Sequence, residues 1–203
     1  MEGFLRFSFC LLFVSLVAVP AAFSQKAPSQ TIEMPPDVPM FTAADLAAKV
    51  PAAKVEDVNS RDAILRAIYD VISGPAGTRD WSRFRSLFLP QARFTQVSTA
   101  ADGSKIVLTW SVDEFVRDAG QVFAKQPFYE KAIVNQPETF GNITQVFSSY
   151  ASHRGPAEKP FERGINSIQL INDGKRWWVL SILWDTDRPG NPLPTKFAGK
   201  MGN

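Results

Sequence analysis

The spacing of the apolar residues changes at Pro127, and this restricts the fold more than any other feature of the chain. Upstream, three stretches carry apolar residues at helical spacing. Asn59 or Ser60 caps the first, where Ile64, Ile68, Val71 and Ile72 share one face until Gly74-Pro75 ends it. Asp80 opens the second, which buries Trp81, Phe84 and Phe88 and stops before Pro90. Ser111 and Glu114 form a capping box for the third, whose stripe is Val112, Phe115, Val116, Ala119 and Phe123. Between the second and third, residues 92–98 and 105–110 flank Asp102-Gly103 as a hairpin. After Pro127 the period is two. Residues 128–135, 143–152, 161–171 and 176–185 are expected strands, broken at residues 137–142, at Gly155-Pro156 and at residues 172–175. Helices interleaved with a hairpin and followed by a meander predict an α+β fold. Its curved antiparallel sheet should wrap around three N-terminal helices and leave a cleft.

The flanks of this domain, residues 58–186, read differently. In residues 1–24, Arg6 precedes an apolar run over residues 7–19, then come Pro20 and the small residues Ala22 and Ser24. This predicts a signal peptide cleaved between Ser24 and Gln25, and an exported chain, periplasmic or secreted. The run falls short of the roughly 20 residues that a membrane helix needs, so no span is expected after cleavage. An uncleaved N-terminal anchor is the rival reading. Cys10, the only cysteine, lies within the segment, so disulfides are not expected. Residues 25–57, rich in Pro and Ala, form a leader expected to be mostly flexible, although Thr42 could cap a short helix over residues 43–50. Residues 187–203, with Pro189, Pro192, Pro194 and three glycines, predict a flexible tail.

Composition removes several classes of function. Lys and Arg total 22 against 20 Asp and Glu, and they are dispersed, so no nucleic-acid partner is expected. One histidine, no cysteine outside the leading segment and no acidic cluster disfavour a metal site, and no cofactor is expected.

The order of elements resembles the nuclear-transport-factor-2-like (SnoaL-like) superfamily over residues of about 58–186. Local phrases carry the resemblance too. Asp80-Trp81-Ser82-Arg83-Phe84-Arg85-Ser86-Leu87-Phe88 is similar to that family's second helix. Gly164-Ile165-Asn166-Ser167-Ile168-Gln169-Leu170 and Asp173-Gly174-Lys175-Arg176-Trp177-Trp178 are similar to its last hairpin. The resemblance implies a cone with a ligand pocket between helices and sheet, a design shared by enzymes, binders and assembly subunits. In the steroid-isomerase branch an acidic base follows the Leu-Phe pair, and here that position falls at Gln96, whose amide cannot abstract a proton. The family's protonated acid corresponds to Asn166, which could still donate to an oxyanion, and its first-helix tyrosine to Tyr69. The scytalone-dehydratase branch uses a pocket histidine, for which the one candidate is His153.

The residues themselves suggest a compatible list. Alternation sets Asn166 in a row with Gly164, Ile168 and Leu170, where a buried amide needs either a ligand or a neighbouring strand as partner. Glu130 opens a strand. If it points inward, burial raises its pKa and suits it to acid–base work; if outward, it is solvated or paired with Arg163 or Lys131. Asp185 sits at the expected rim, and Trp81, Trp110 and Phe115 are core residues that could also line a pocket. Trp184 shares its strand with Trp177 and Trp178, which makes the sheet apolar on both faces and predicts a homodimer, with the leader as an alternative cover. The expected function is binding of a small apolar or aromatic molecule. The alternatives are a lyase, isomerase or cyclase using Glu130 or His153 with Tyr69 and Asn166, and a structural or assembly subunit whose pocket is filled by Trp and Phe.

Overall fold

The computed structural model describes residues 40–199, so the expected signal peptide and the first part of the leader lie outside the described residues. The helices are α1 (Ala43–Ala47), α2 (Val55–Val58), α3 (Arg61–Ile72), α4 (Trp81–Ser86) and α5 (Val112–Phe123). The strands are β1 (Phe88–Thr99), β2 (Lys105–Ser111), β3 (Tyr129–Phe140), β4 (Ile143–His153), β5 (Glu162–Asn172) and β6 (Trp177–Thr186). The expected caps are present: Ser60 on α3, Asp80 on α4 and the reciprocal Ser111–Glu114 box on α5. Each supplies an acceptor to a backbone N–H that the first helical turn leaves unpaired.

All six strands join one sheet in the order β2-β1-β6-β5-β4-β3. It is not wholly antiparallel, because β1 and β6 run parallel, with Phe94 opposite Ile182 and Gln96 opposite Trp184. Helix α5 carries the chain from the hairpin to the far edge, and the meander returns strand by strand until β6 meets β1 in the same direction. Strand β1 starts as soon as α4 ends, with Val179 N–H donating to the Leu87 carbonyl at 3.0 Å. The break expected at residues 137–142 is shorter, because β3 continues through Pro137. As an edge strand β3 has one side without a ladder, so a missing N–H is tolerated there.

Directly paired residues project to the same face. One row therefore crosses four strands as Gln96, Trp184, Asn166 and Ser148, and a second crosses three as Glu130, Ser152 and Glu162. The core packs against this concave face, with Ile64, Leu87, Val146, Ile168 and Val179 all 0% exposed.

The described parts of the flanks, residues 40–57 and 187–199, carry some structure. Thr42 caps α1, Leu46 is buried, and Asp57 of α2 accepts from Arg83 Nε at 2.8 Å and Nη2 at 2.9 Å. The tail forms a 3₁₀ turn over Thr195–Phe197 and buries Phe197. A single well-placed apolar side chain anchors a Pro- and Gly-rich segment that composition alone marks as mobile. Ser149 fixes it: its hydroxyl donates to the Phe197 carbonyl at 2.7 Å and accepts from Val134 N–H at 3.1 Å, beside a bulge in β3.

Candidate functional site

Helices α3 and α5 and the concave face of the sheet enclose a cavity of about 350 Å³. One wall is a cluster of rings. Phe115 stacks on Phe94 at 4.5 Å and on Phe84 at 5.5 Å, and Phe88 leans against both Phe84 and Phe94. Beside them, with Trp110 directly across from Phe94 on the neighbouring strand, the indoles of Trp110 and Trp184 stack at 5.8 Å and 14°. Asp118 and the exposed Val122, both on α5, mark the side open to solvent. Asp118 is engaged there by Arg117 and by Trp110 Nε1, which donates at 3.1 Å.

The other end is polar. Glu130, Tyr150, Glu162 and Asn166 meet there, drawn from three neighbouring strands. Glu130 keeps some surface through its position at the edge strand, but its carboxyl turns to the cavity side, where Ser152 Oγ donates to Oε2 at 2.8 Å. Burial pushes Glu130 up to about 7, and nearby Glu162 adds to the rise, while Ser152 and Asn166 oppose it. Burial also raises Glu162, against the pull of Tyr150 and Arg154. Tyr150 Oη donates to Glu162 Oε1 at 3.2 Å. It can do so because position 164 is glycine: a Cβ there would stand 2.4 Å from the Asp185 carbonyl and 2.7 Å from Tyr150 Oη. The missing side chain at Gly164 leaves room for the tyrosine to cross the strand.

Asn166 is 7% exposed and donates from Nδ2 to Tyr69 Oη at 3.2 Å, and Tyr69 in turn pairs with Ser148 Oγ at 2.5 Å. The tyrosine stands behind the cavity wall and fixes the amide; burial raises its pKa, so it remains a neutral phenol.

Of the residues singled out in the sequence, Gln96, Trp110, Phe115, Glu130, Asn166 and Trp184 line the cavity together. Four others do not: Tyr69 lies behind the wall, and Trp81, Asp185 and His153 are held elsewhere. Trp81 packs on the far side of Phe84 and Phe123. Asp185 is tied to Arg188, as expected of a carboxylate at the end of its strand beside a basic turn. His153 faces the opposite side of β4 from Ser152, with Nδ1 donating to the Glu158 carbonyl at 2.7 Å and Nε2 buried without a partner. Glu162 and Tyr150 were missed. The signal was present as the polar alternation Ser148-Tyr150-Ser152 and a second glutamate opening a strand, but only the register brings these residues to Glu130. Among the described residues no group of three His, Cys, Asp or Glu could hold a metal ion.

The curved six-stranded sheet with α3 and α5 packed against it has the nuclear-transport-factor-2-like architecture that the sequence resembles. No protein-family model matches the chain, and no curated protein matches it. Among solved structures it is similar to a protein of unknown function with a cystatin-like fold from Nostoc punctiforme, at 9% identity, covering 73% of this chain and 96% of that one, with a TM-score of 0.49. It is also similar to a nuclear-transport-factor-2-like protein of unknown function from Silicibacter pomeroyi, at 12% identity over 62% and 91% of the two chains and a TM-score of 0.44. A third, from Shewanella baltica and also of unknown function, has 16% identity over 64% and 98%, with a TM-score of 0.41.

Proposed function

We propose that this protein binds a small, largely apolar molecule in the cone, held by one polar group at the Glu130–Asn166 end. The observation that carries this reading is a cavity with aromatic walls that closes on a single polar patch. Its size is that of a small-ligand site, and its few convergent polar groups are of the kind that fix a ligand's orientation. A cavity of this volume also counts against the purely structural alternative, in which side chains fill the space. Titration with a neutral naphthalene probe, followed by tryptophan emission from Trp110 and Trp184, tests it. Saturable one-to-one binding that is lost when Ala119→Phe plugs the cavity is expected; binding untouched by the plug would remove the proposal.

Glu130 favours a second reading as a proton-transfer enzyme. A carboxyl with a pKa of about 7 is half-protonated near neutrality, which suits a general acid or base. Asn166 and Tyr150 line the same end, and their donors, engaged by Tyr69 and Glu162, could turn to an oxygen that gains charge. His153 has no part in this version. A rate that follows a group titrating near 7 and vanishes in Glu130→Gln would establish it; an active Glu130→Gln enzyme would end it.

Export and dimerisation complete the proposal. Export rests on the signal-like pattern of residues 1–24, and cleavage can be read from the N-terminus of the secreted protein. Dimerisation is supported by Val107, Phe147 and Leu183, which are exposed together on the outer sheet face, and light scattering in solution reports it.

A further inference from the structure

We propose that the polar group of the ligand is a cation, a protonated amine carried on an aromatic or aliphatic body. This inference rests on the pocket reading above and names the chemistry it selects. The charged residues lining the cavity are Asp118, Glu130 and Glu162, and among the described residues no Lys, Arg or His lines it. Asp118 is already satisfied at the mouth by Arg117 and Trp110. Glu130 and Glu162 have no ion pair among the described residues.

On the cavity side, the groups that act on Glu130 are neutral donors or another acid. Ser152 and Tyr150 come from β4, Asn166 and Glu162 from β5, and Tyr69 from α3. On its other side Glu130 borders a separate hollow that Arg66, Asp70, Lys131 and His153 also line, without an ion pair to any of them. Arg154 is the one cation that acts on Glu162, and it lies outside the cavity. Its guanidinium covers the Phe161 ring at 4.1 Å and donates to the Pro127 carbonyl at 3.2 Å. Glu130 and Glu162 stand on either side of Ser152 in one row, two strand spacings apart or about 9–10 Å at the backbone. Both side chains line the same end of the cavity and are near enough for Glu162 to act on Glu130.

Three physical consequences favour an ammonium there. A carboxylate taken from water without a counter-charge is costly, so an entering cation gains what the empty site lacks. An ammonium carries up to three N–H donors and no acceptor, which matches a site offering two carboxyls and a tyrosine oxygen. Trp110, Trp184 and Phe128 line the same cavity, and aromatic rings attract positive charge over their faces. An anion would be buried beside two acids. A neutral alcohol would leave Glu130 holding its proton.

Calorimetry with three probes of one shape tests this: naphthylethylamine, naphthylethanol and naphthylacetate. At pH 8 the amine is expected to bind at least about tenfold more tightly than the alcohol, with the acetate weakest. Near pH 7, amine binding should release a proton as Glu130 ionises, seen as heats that vary with the buffer's own ionisation heat. Glu130→Gln and Glu162→Gln should each narrow the gap between amine and alcohol, with thermal denaturation reporting that each variant folds. An alcohol that matches the amine in the unaltered protein overturns the inference and leaves the pocket reading standing. Failure of the alcohol and the amine alike removes both.

Discussion

Asp57 and Glu130 are both acids carried into the interior, and their surroundings treat them in opposite ways. Asp57, 5% exposed, accepts two hydrogen bonds from the Arg83 guanidinium, which also reaches Asp70, and these bonds hold its carboxyl below the usual range. Glu130 has one hydroxyl donor and a second acid nearby, and burial pushes it up to about 7. The first arrangement is complete: a bidentate pair that fastens α2 and α3 to α4 and asks nothing of solvent or ligand. The second is incomplete by the same standard, since burial there lacks a compensating charge. The contrast separates an acid retained for structure from one available for chemistry.

The largest way to disturb the contrast is to make Asp57 resemble Glu130. Arg83→Met removes the partner and leaves a buried carboxylate alone, and urea denaturation at pH 7 should show a loss of about 2–4 kcal/mol. Gly164→Ala comes next. The added methyl group would collide with the Asp185 carbonyl and displace Tyr150, at a cost of about 1–3 kcal/mol, and the cavity should lose its probe as the polar end collapses.

Glu130→Gln sharpens the comparison in the opposite direction. The folded-state pKa of Glu130 is raised from 4.5 to about 7, so the native state binds the extra proton and stability falls as pH rises between those values. The variant lacks this loss and should exceed the unaltered protein at pH 8 by about 1–3 kcal/mol, with a flatter curve below. Asp57 has the opposite sign. Its contribution is full above 3.8 and disappears as pH falls through its lowered folded value. An unaltered protein whose stability does not decline between pH 5 and 7, read from thermal scans, would contradict the account of Glu130. The smallest effect belongs to Ser152→Ala, which removes the hydroxyl donor and should move the Glu130 carboxyl further upward in an NMR titration, with a stability change of about 1 kcal/mol or less.

What the sequence revealed depended on the range of the interaction. The caps at Asp80 and Ser111 were legible because a side chain and a backbone N–H three residues on decide them. Asn166 was legible as a polar residue in an apolar alternating row that must find a partner, but the partner is Tyr69 of α3, neither of the two expected. The parallel contact of β1 with β6 was not, since it joins residues far apart in the chain, such as Gln96 and Trp184, and no local residue encodes it. The same holds for Glu162 and Tyr150, whose place beside Glu130 is a matter of register across β3, β4 and β5. His153 shows how a one-residue difference in alternation decides a site: Ser152 faces the cavity and the histidine next to it does not.

The tail held by Ser149 bears on how this protein behaves in company. Strand β3 is an edge, and an unprotected edge of twelve residues is a template on which another chain can add a strand. Here the bulge after Ala132 breaks the template near its middle, Pro137 removes a donor further along, and Gly199 is packed beside Ile133 at the bulge itself. By that principle the bulge, the proline and the packed tail leave the edge less open to an added strand. A chain cut short before Thr195 would keep its cavity, and light scattering that grows with concentration would accompany a melting point lowered by the lost burial of Phe197 and the lost partner of Ser149.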